Sequence, residues 1–114
     1  MNKPPEIVFH GIERSDAVEA HVVDKIAKLE RHHPQIISCR VTIEVPHKHH
    51  QQGKEFDVRI DLTVRGKEIV VNRAPRNEDM YMALRDAFDA AKRQLESEER
   101  EHRGHDKRQD EGAV

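Results

Sequence analysis

Four basic residues in the first third of the chain recur at a spacing that suits them to hold phosphate. They are His21, Lys25, Lys28 and His32, at positions i, i+4, i+7 and i+11. At about 100° per residue, this spacing places them in one stripe along a helix, beside the apolar stripe that begins at Val18. Lysine and protonated histidine carry positive charge and donate hydrogen bonds, so the stripe could contact a phosphate backbone.

A second basic flank lies in the last third of the chain. Arg85 and Lys92 share one side of a predicted helix with Glu96 and Glu99, and Arg93 points further toward solvent. Two such helices side by side on a sheet would form a groove lined with positive charge, which suits the shape and phosphates of double-stranded RNA. The alternative is that these cations are solvated surface residues with no binding role. In a chain with 37% charged residues, any helix margin carries Lys and Arg.

Five of the nine histidines could supply imidazoles to a metal ion. His47, His49 and His50 stand in a polar loop, with His32 and His33 as further imidazoles. No carboxylate or cysteine accompanies the loop at a recognised ligand spacing. We therefore interpret the loop as a solvated hairpin tip and predict no metal site, with metal affinity or an RNA contact as the alternatives.

Catalytic patterns are absent from the sequence. There is no phosphate-cradling glycine loop, no G-x-S-x-G and no H-E-x-x-H. Asp57 and Asp61 share a predicted strand face with Arg59, and we interpret them as cross-strand salt-bridge partners rather than as an acid/base pair. We expect no enzyme activity, no catalytic residue, no cofactor and no small-molecule substrate.

Composition points to one domain with a thin core. The chain has 114 residues, of which 35% are hydrophobic, so it can bury one face of a small sheet but not a deep pocket. Its single cysteine, Cys39, excludes an internal disulfide and is interpreted as structural. No apolar run could span a bilayer and the first residues lack a signal-peptide pattern, so we expect a cytoplasmic protein with no membrane partner.

Hydrophobic periodicity predicts six elements in the order β-α-β-β-β-α. Strand-like alternation covers residues 6–10, 37–45, 56–64 and 68–72, and helical periodicity follows the predicted caps Ser15 and Asn77. In the second strand, the alternation places Ile37, Val41, Ile43 and Val45 on one side. Each predicted helix has a single apolar stripe, and the predicted sheet has one apolar and one solvent-exposed face. This implies a two-layer α+β domain, in which two helices cover one face of a four-stranded sheet.

Charge divides the chain unevenly. Residues 1–95 carry 16 Lys/Arg against 15 Asp/Glu, whereas residues 96–114 carry four against seven. A nucleic-acid-binding protein usually has a global excess of basic residues, so this one would depend on a local arrangement of charge. We predict one domain over residues 1–103, followed by a charged, disordered tail over residues 104–114.

Two stretches of the sequence resemble a known family. They are SDAVEAHVVDKIAKLE, residues 15–30, and DMYMALRDAFDAAKRQLE, residues 79–96. Together with the strand order, they resemble the ribosome hibernation promoting factors, also called ribosome-associated inhibitor A and, in older usage, sigma-factor modulation proteins. The resemblance covers about residues 5–96.

The resemblance implies a fold similar to a double-stranded RNA-binding domain and a non-enzymatic, rRNA-binding translation inhibitor. Such proteins bind the small ribosomal subunit at the decoding region and block tRNA and mRNA binding in stress or stationary phase. Lys25 and Lys28 match the basic run of the family's first helix, and Arg93 matches its second. The resemblance also implies the short form, without a second C-terminal domain, and we expect the free protein to be monomeric.

The sequence departs from the family pattern in two places. Asp89 is followed by two alanines, so a helix cation is displaced to Lys92, and the segment after Leu95 is acidic rather than basic.

The alternative function is a protein-interaction module that modulates a transcription factor or a phosphotransfer partner, as the older family name suggests.

Overall fold

Six elements build the protein, in the order that the sequence predicts. The structure is a computed structural model that describes residues 1, 3–45, 55–72 and 75–112, with side chains through residue 102. The elements are β1 (Glu6–His10), α1 (Asp16–His32), β2 (Ile36–Glu44), β3 (Asp57–Val64), β4 (Lys67–Val71) and α2 (Met80–Gly112). Within those ranges, neither helix has the apolar length needed to cross a membrane.

The strands form one mixed sheet in the order β1-β2-β3-β4. β1 runs parallel to β2, with Phe9 beside Ile43, and α1 supplies the crossover that a parallel pair requires. β2, β3 and β4 are antiparallel neighbours. Arg65 and Gly66 join β3 to β4 with φ of 53° and 75°, as a two-residue type I′ hairpin requires.

Both helices cover one face of the sheet, and this contact forms the core. In β3, Val58, Ile60 and Leu62 are buried while Arg59 is exposed, because alternate residues point to opposite faces. The helices contribute two buried stripes: Val18, Val22, Ile26 and Leu29 from α1, and Ala83, Leu84, Ala87, Phe88, Ala91 and Leu95 from α2. The predicted two-layer α+β fold is confirmed. We call the opposite side, which carries Arg59, the open sheet face.

The predicted burial at the start of β2 is wrong. Ile36 and Cys39 are buried and Ile37 is half-buried, although the alternation pairs Ile37 with Val41. The register against β3 shifts between Ile36 and Ser38. Such a bulge inserts one extra residue, so the alternation is offset and the side chains before it change faces.

Asp79, rather than the predicted Asn77, caps α2. Asp79 Oδ1 accepts hydrogen bonds from the backbone N–H groups of Tyr81 at 2.9 Å and Met82 at 3.3 Å. Asn77 Oδ1 accepts the backbone N–H of Asp79 at 2.8 Å, so Asn77 shapes the turn that leads into the helix. Both residue types favour caps, and only the backbone conformation chooses between them.

The backbone of α2 is helical to Gly112, although the sequence predicts a disordered tail from residue 104. The helix is still tied to the domain after Leu95, because Lys67 Nζ lies 2.7 Å from Glu98 Oε2. Opposite charges at i and i+4, such as Glu96 and Arg100, also favour helix in a polar segment. Secondary structure shows no break at residue 104, and the domain boundary at 103 stays a prediction.

Cys39 is buried in the core, and this has a measurable consequence at high pH. Burial, and secondarily the charge of Asp61, raises the pKa of the Cys39 thiol from 9.0 to about 12. Above pH 9 the unfolded chain releases this proton and the native protein does not, so the thiol's contribution to stability falls as pH rises from 9 to 12.

We expect Cys39→Ala to reduce the loss of stability at high pH. Between about pH 8 and about pH 10, the free energy of unfolding of the variant should fall by about 1 kcal/mol less than that of the original protein. Urea denaturation at both pH values measures this difference. Equal losses in the two proteins would contradict the assignment, because lysine and tyrosine ionisation is common to both.

Candidate nucleic-acid interface

The basic stripe of α1 forms as the sequence predicts. Ser15 caps the helix, its hydroxyl oxygen accepting the backbone N–H of Val18 at 3.3 Å. Helical periodicity turns Val18, Val22, Ile26 and Leu29 into the core, which leaves the basic stripe at the edge of the buried face. Of its members, His21 and Lys25 are half-buried and Lys28 and His32 are exposed.

Contacts at both ends of α1 show which flank of α2 faces it. The rings of His21 and Tyr81 meet edge to face, with centroids 4.8 Å apart and an angle of 87° between planes. At the other end, His33 Nδ1 lies 3.0 Å from Glu99 Oε1. The two helices therefore run in the same direction, and the flank of α2 between Tyr81 and Glu99 faces α1.

Helical spacing places two cations on this flank. Arg85 follows Tyr81 by one turn, and Lys92 lies seven residues later, one heptad before Glu99. We call the surface between the helices the interhelical groove. By helical spacing, six of the seven predicted RNA-binding residues lie on the flanks that border this groove: His21, Lys25, Lys28, His32, Arg85 and Lys92.

The cations of the interhelical groove differ in how they are paired. Lys28 Nζ lies 3.2 Å from Asp24 Oδ2, and an Arg85 guanidinium nitrogen lies 3.2 Å from Asp86 Oδ1. In the part of the chain that the structure describes, Lys25 and Lys92 have no ion pair. Exposed ion pairs contribute about 0–1 kcal/mol, so a phosphate could displace the pairs, while Lys25 and Lys92 have no pair to break.

Arg93 is the predicted residue that does not border this groove. It lines a depression between α2 and the free edge of β4, together with Val70, Asn72, Asp86 and Asp89. It lies about 100° around the helix from Lys92, because it is the next residue. Its RNA contact, implied by resemblance, stays a prediction, and the geometry separates it from the other six.

The groove becomes acidic toward the far end of α2. Glu99 Oε1 accepts a hydrogen bond from Gln35 Nε2 at 2.5 Å and also contacts His33, while Glu98 holds Lys67. These carboxylates connect α2 to the end of α1 and to β4. The positive part of the interhelical groove therefore lies over the first four turns of α2.

The open sheet face is a poor surface for phosphate. Its charged residues in the described part of the chain include two arginines and five carboxylates: Arg40, Arg59, Glu6, Glu44, Asp57, Asp61 and Glu68. Guanidinium–carboxylate distances are 3.4 Å for Arg40–Glu6 and 3.2 Å for Arg59–Asp61. Asp57 lies 3.9 Å from Arg76, which is outside the sheet, and Asp61 pairs with Arg59 of its own strand. The predicted cross-strand pairing of these aspartates is therefore wrong, because Arg40, which stands opposite Asp61, pairs with Glu6.

Tyr81 is the groove residue that the sequence analysis did not select. Its side chain is 45% exposed, and its ring contacts His21. The Nε2 atom of His21 is buried and has no hydrogen-bond partner among the described residues. The spacing of Tyr81 one turn before Arg85 indicates that both residues lie on the same side of α2. The contact of Tyr81 with His21 depends on how the two helices pack.

No group of three or more His, Cys, Asp and Glu residues in the described ranges is arranged to hold a metal ion. The cluster His47, His49 and His50 lies outside the described residues. The prediction that this loop is a solvated hairpin tip stays a prediction.

A family model described as Sigma 54 modulation protein / S30EA ribosomal protein matches residues 6–103. The chain belongs to this family, as the helix signatures suggested. Among curated proteins, a ribosome hibernation promoting factor from Azotobacter vinelandii is 34% identical over 86 residues, which cover 75% of this chain and 73% of the relative.

Two solved structures share the fold. The N-terminal domain of Protein Y from Thermus thermophilus superposes with a TM-score of 0.64 at 21% identity, covering 79% of this chain and 91% of that one. A ribosomal subunit interface protein from Coxiella burnetii gives a TM-score of 0.69 at 16% identity, covering 82% and 94%. At these identities, the structural likeness establishes the α+β architecture.

Proposed function

We propose that the protein is a ribosome-associated hibernation factor that inhibits translation. It binds rRNA of the small ribosomal subunit at the decoding region and blocks tRNA and mRNA binding under stress or in stationary phase. Family membership and the curated relative, itself named a ribosome hibernation promoting factor, support the ribosomal role. The observation that carries the RNA-binding part is the contact of His21 with Tyr81 across the interhelical groove, from which helical spacing places cations of both helices on the facing flanks.

Binding in this proposal depends on shape and charge and involves no chemical step. The sheet holds the helices at a fixed separation, and the groove cations replace counterions along the RNA backbone. The protein acts as a monomer without cofactor, and its location is the cytoplasm, where ribosomes are. Occupying the decoding region excludes other ligands by volume, so catalytic residues are unnecessary.

Co-sedimentation with purified small subunits, large subunits and whole ribosomes tests the function. We expect binding to small subunits and whole ribosomes, weakening as salt rises. Lys25, Lys28, Arg85 and Lys92 would give a log–log slope of about −2.8 to −3.6 if each neutralises one phosphate. Competition with initiator tRNA would locate the site at the decoding region. Absence from every ribosomal fraction at low salt would contradict the proposal.

A second candidate function rests on the family description, which also names sigma 54 modulation. In that case the protein would bind a transcription factor or a phosphotransfer partner. Affinity capture from a ribosome-free lysate separates the two functions. A stoichiometric protein partner without rRNA would favour this second function.

A further inference from the structure

The interhelical groove begins with the one aromatic side chain that the core leaves exposed among the described residues. Phe88 is buried, and Phe9 and Phe56 are half-buried against the core. Tyr81 is 45% exposed, and the chain has no other tyrosine and no tryptophan. Packing of the hydrophobic core therefore does not explain why position 81 carries an aromatic side chain.

The position of the Tyr81 ring is fixed from two sides. Asp79 accepts the backbone N–H of Tyr81 at 2.9 Å, which orders the first turn of α2. The ring of His21 meets that of Tyr81 at 87°, an edge-to-face contact in which each ring limits the rotation of the other. An aromatic surface held in this way loses little conformational entropy when a ligand stacks on it.

Cations flank the ring pair on both helices. Lys25 lies one turn after His21 on α1, and Arg85 lies one turn after Tyr81 on α2. An aromatic surface between cations is the usual arrangement for holding single-stranded nucleic acid, because bases stack on the ring while cations hold the adjacent phosphates. A continuous RNA helix keeps its bases inside the duplex, so a ring at this place would gain nothing from it.

We propose that His21 and Tyr81 form a subsite for one unpaired nucleobase of RNA. The base stacks on the exposed part of the Tyr81 ring, and Lys25 and Arg85 contact the phosphates on either side. The inference rests on the proposed RNA-binding function and adds a requirement for a single-stranded or bulged nucleotide at the start of the groove. The subsite tolerates different bases, because every base has a π-face.

Tyrosine fluorescence reports on this subsite directly, since Tyr81 is the sole tyrosine and there is no tryptophan. The probes are a short single-stranded oligouridylate and a short RNA duplex, matched in phosphate concentration and absorbance, at low salt. We expect the single strand to quench the emission and the duplex to leave it nearly unchanged. No quenching by the single strand, or equal quenching by both probes, would overturn the subsite.

Affinity for the small subunit provides the second readout. We expect Tyr81→Ala to weaken binding by about 5- to 100-fold and Tyr81→Phe to bind within about twofold of the original protein, both with an unchanged salt slope. Lys25→Gln should instead lower the slope by about 0.7–0.9. Met82→Ala, at the adjacent exposed residue, is the matched control, and circular dichroism checks that each variant folds.

The outcomes distinguish the subsite from the function on which it rests. Original protein that binds small subunits, with Tyr81→Ala binding equally well, would remove the subsite and leave the function intact. Original protein that binds no ribosomal fraction would contradict the function, while the fluorescence comparison would still decide the subsite. Tyr81→Leu replaces Tyr81→Ala if the alanine variant fails to fold, because leucine keeps apolar contact with His21 but offers no ring.

Discussion

Replacing Lys25 and Lys92 by glutamate should abolish ribosome binding while the protein stays folded. These lysines border the interhelical groove from opposite helices and have no ion pair among the described residues. Each reversal replaces attraction to a phosphate by repulsion, and the two together should weaken binding by at least about 100-fold, or about 3 kcal/mol. Co-sedimentation with small subunits at low salt measures the loss.

A matched control applies the same change of charge elsewhere. Lys3 and Arg65 are exposed outside the interhelical groove and have no ion pair among the described residues, so Lys3→Glu with Arg65→Glu should bind nearly as well as the original protein. Equal losses in the two double variants would mean that net charge, and not the interhelical groove, controls binding. A folded Lys25→Glu/Lys92→Glu variant with full affinity would contradict the groove outright.

Lys28 is a weaker choice for such a test, although it matches the family's basic run. It already pairs with Asp24 at 3.2 Å on an exposed part of α1. Part of the effect of Lys28→Glu would therefore come from new repulsion within the helix, where like charges at i and i+4 are unfavourable. Lys92→Glu also meets a like charge at i+4, in Glu96, but Lys92 has no ion pair to break among the described residues.

Leu84→Ala should be the most damaging of the single substitutions considered. Leu84 is fully buried where α2 packs on the sheet, with 0% of its surface exposed. Removing a buried leucine side chain costs about 2–5 kcal/mol, because the lost transfer energy adds to the cost of the cavity. Small domains have about 5–15 kcal/mol of stability, so the variant would retain a fraction of it. Urea denaturation followed by circular dichroism measures the change.

Met82→Ala serves as the control for this prediction. Met82 lies two residues earlier on the same helix and is 39% exposed, so its truncation should cost well under 1 kcal/mol. Ribosome binding by Leu84→Ala should fall with the folded fraction and recover at lower temperature. A cost for Leu84→Ala as small as that for Met82→Ala would mean that α2 does not pack as the structure has it.

Periodicity in the sequence was sufficient for the elements and, except at the start of β2, for which face of each one is buried. The apolar residues Val18, Val22, Ile26 and Leu29 recur every 3.6 residues, and this alone placed Lys25 at the margin of the buried face. Alternation in β3 likewise separated Val58 and Ile60 from Arg59. These features are local, because the chain's own geometry fixes which side chains share a face.

Only the tertiary structure decided what stands opposite each face. Lys92 and Arg93 are sequence neighbours and were both RNA-binding candidates, yet packing turns one flank of α2 toward α1 and the other toward β4. A helical wheel defines angles within one helix and contains nothing about its neighbours. The contact of His21 with Tyr81, and that of His33 with Glu99, depend on the direction and spacing of two helices far apart in sequence.

The other differences have the same origin. The sequence by itself determined the order of the elements, the buried stripes, the cationic margin of α1 and, through its helix signatures, the family. The structure decided the bulge beside Ile36, the cap at Asp79, the helical backbone beyond residue 104 and the sorting of the cations into one groove. The first group follows from local periodicity and residue type, whereas the second depends on contacts between distant segments, whose geometry is set when the core packs.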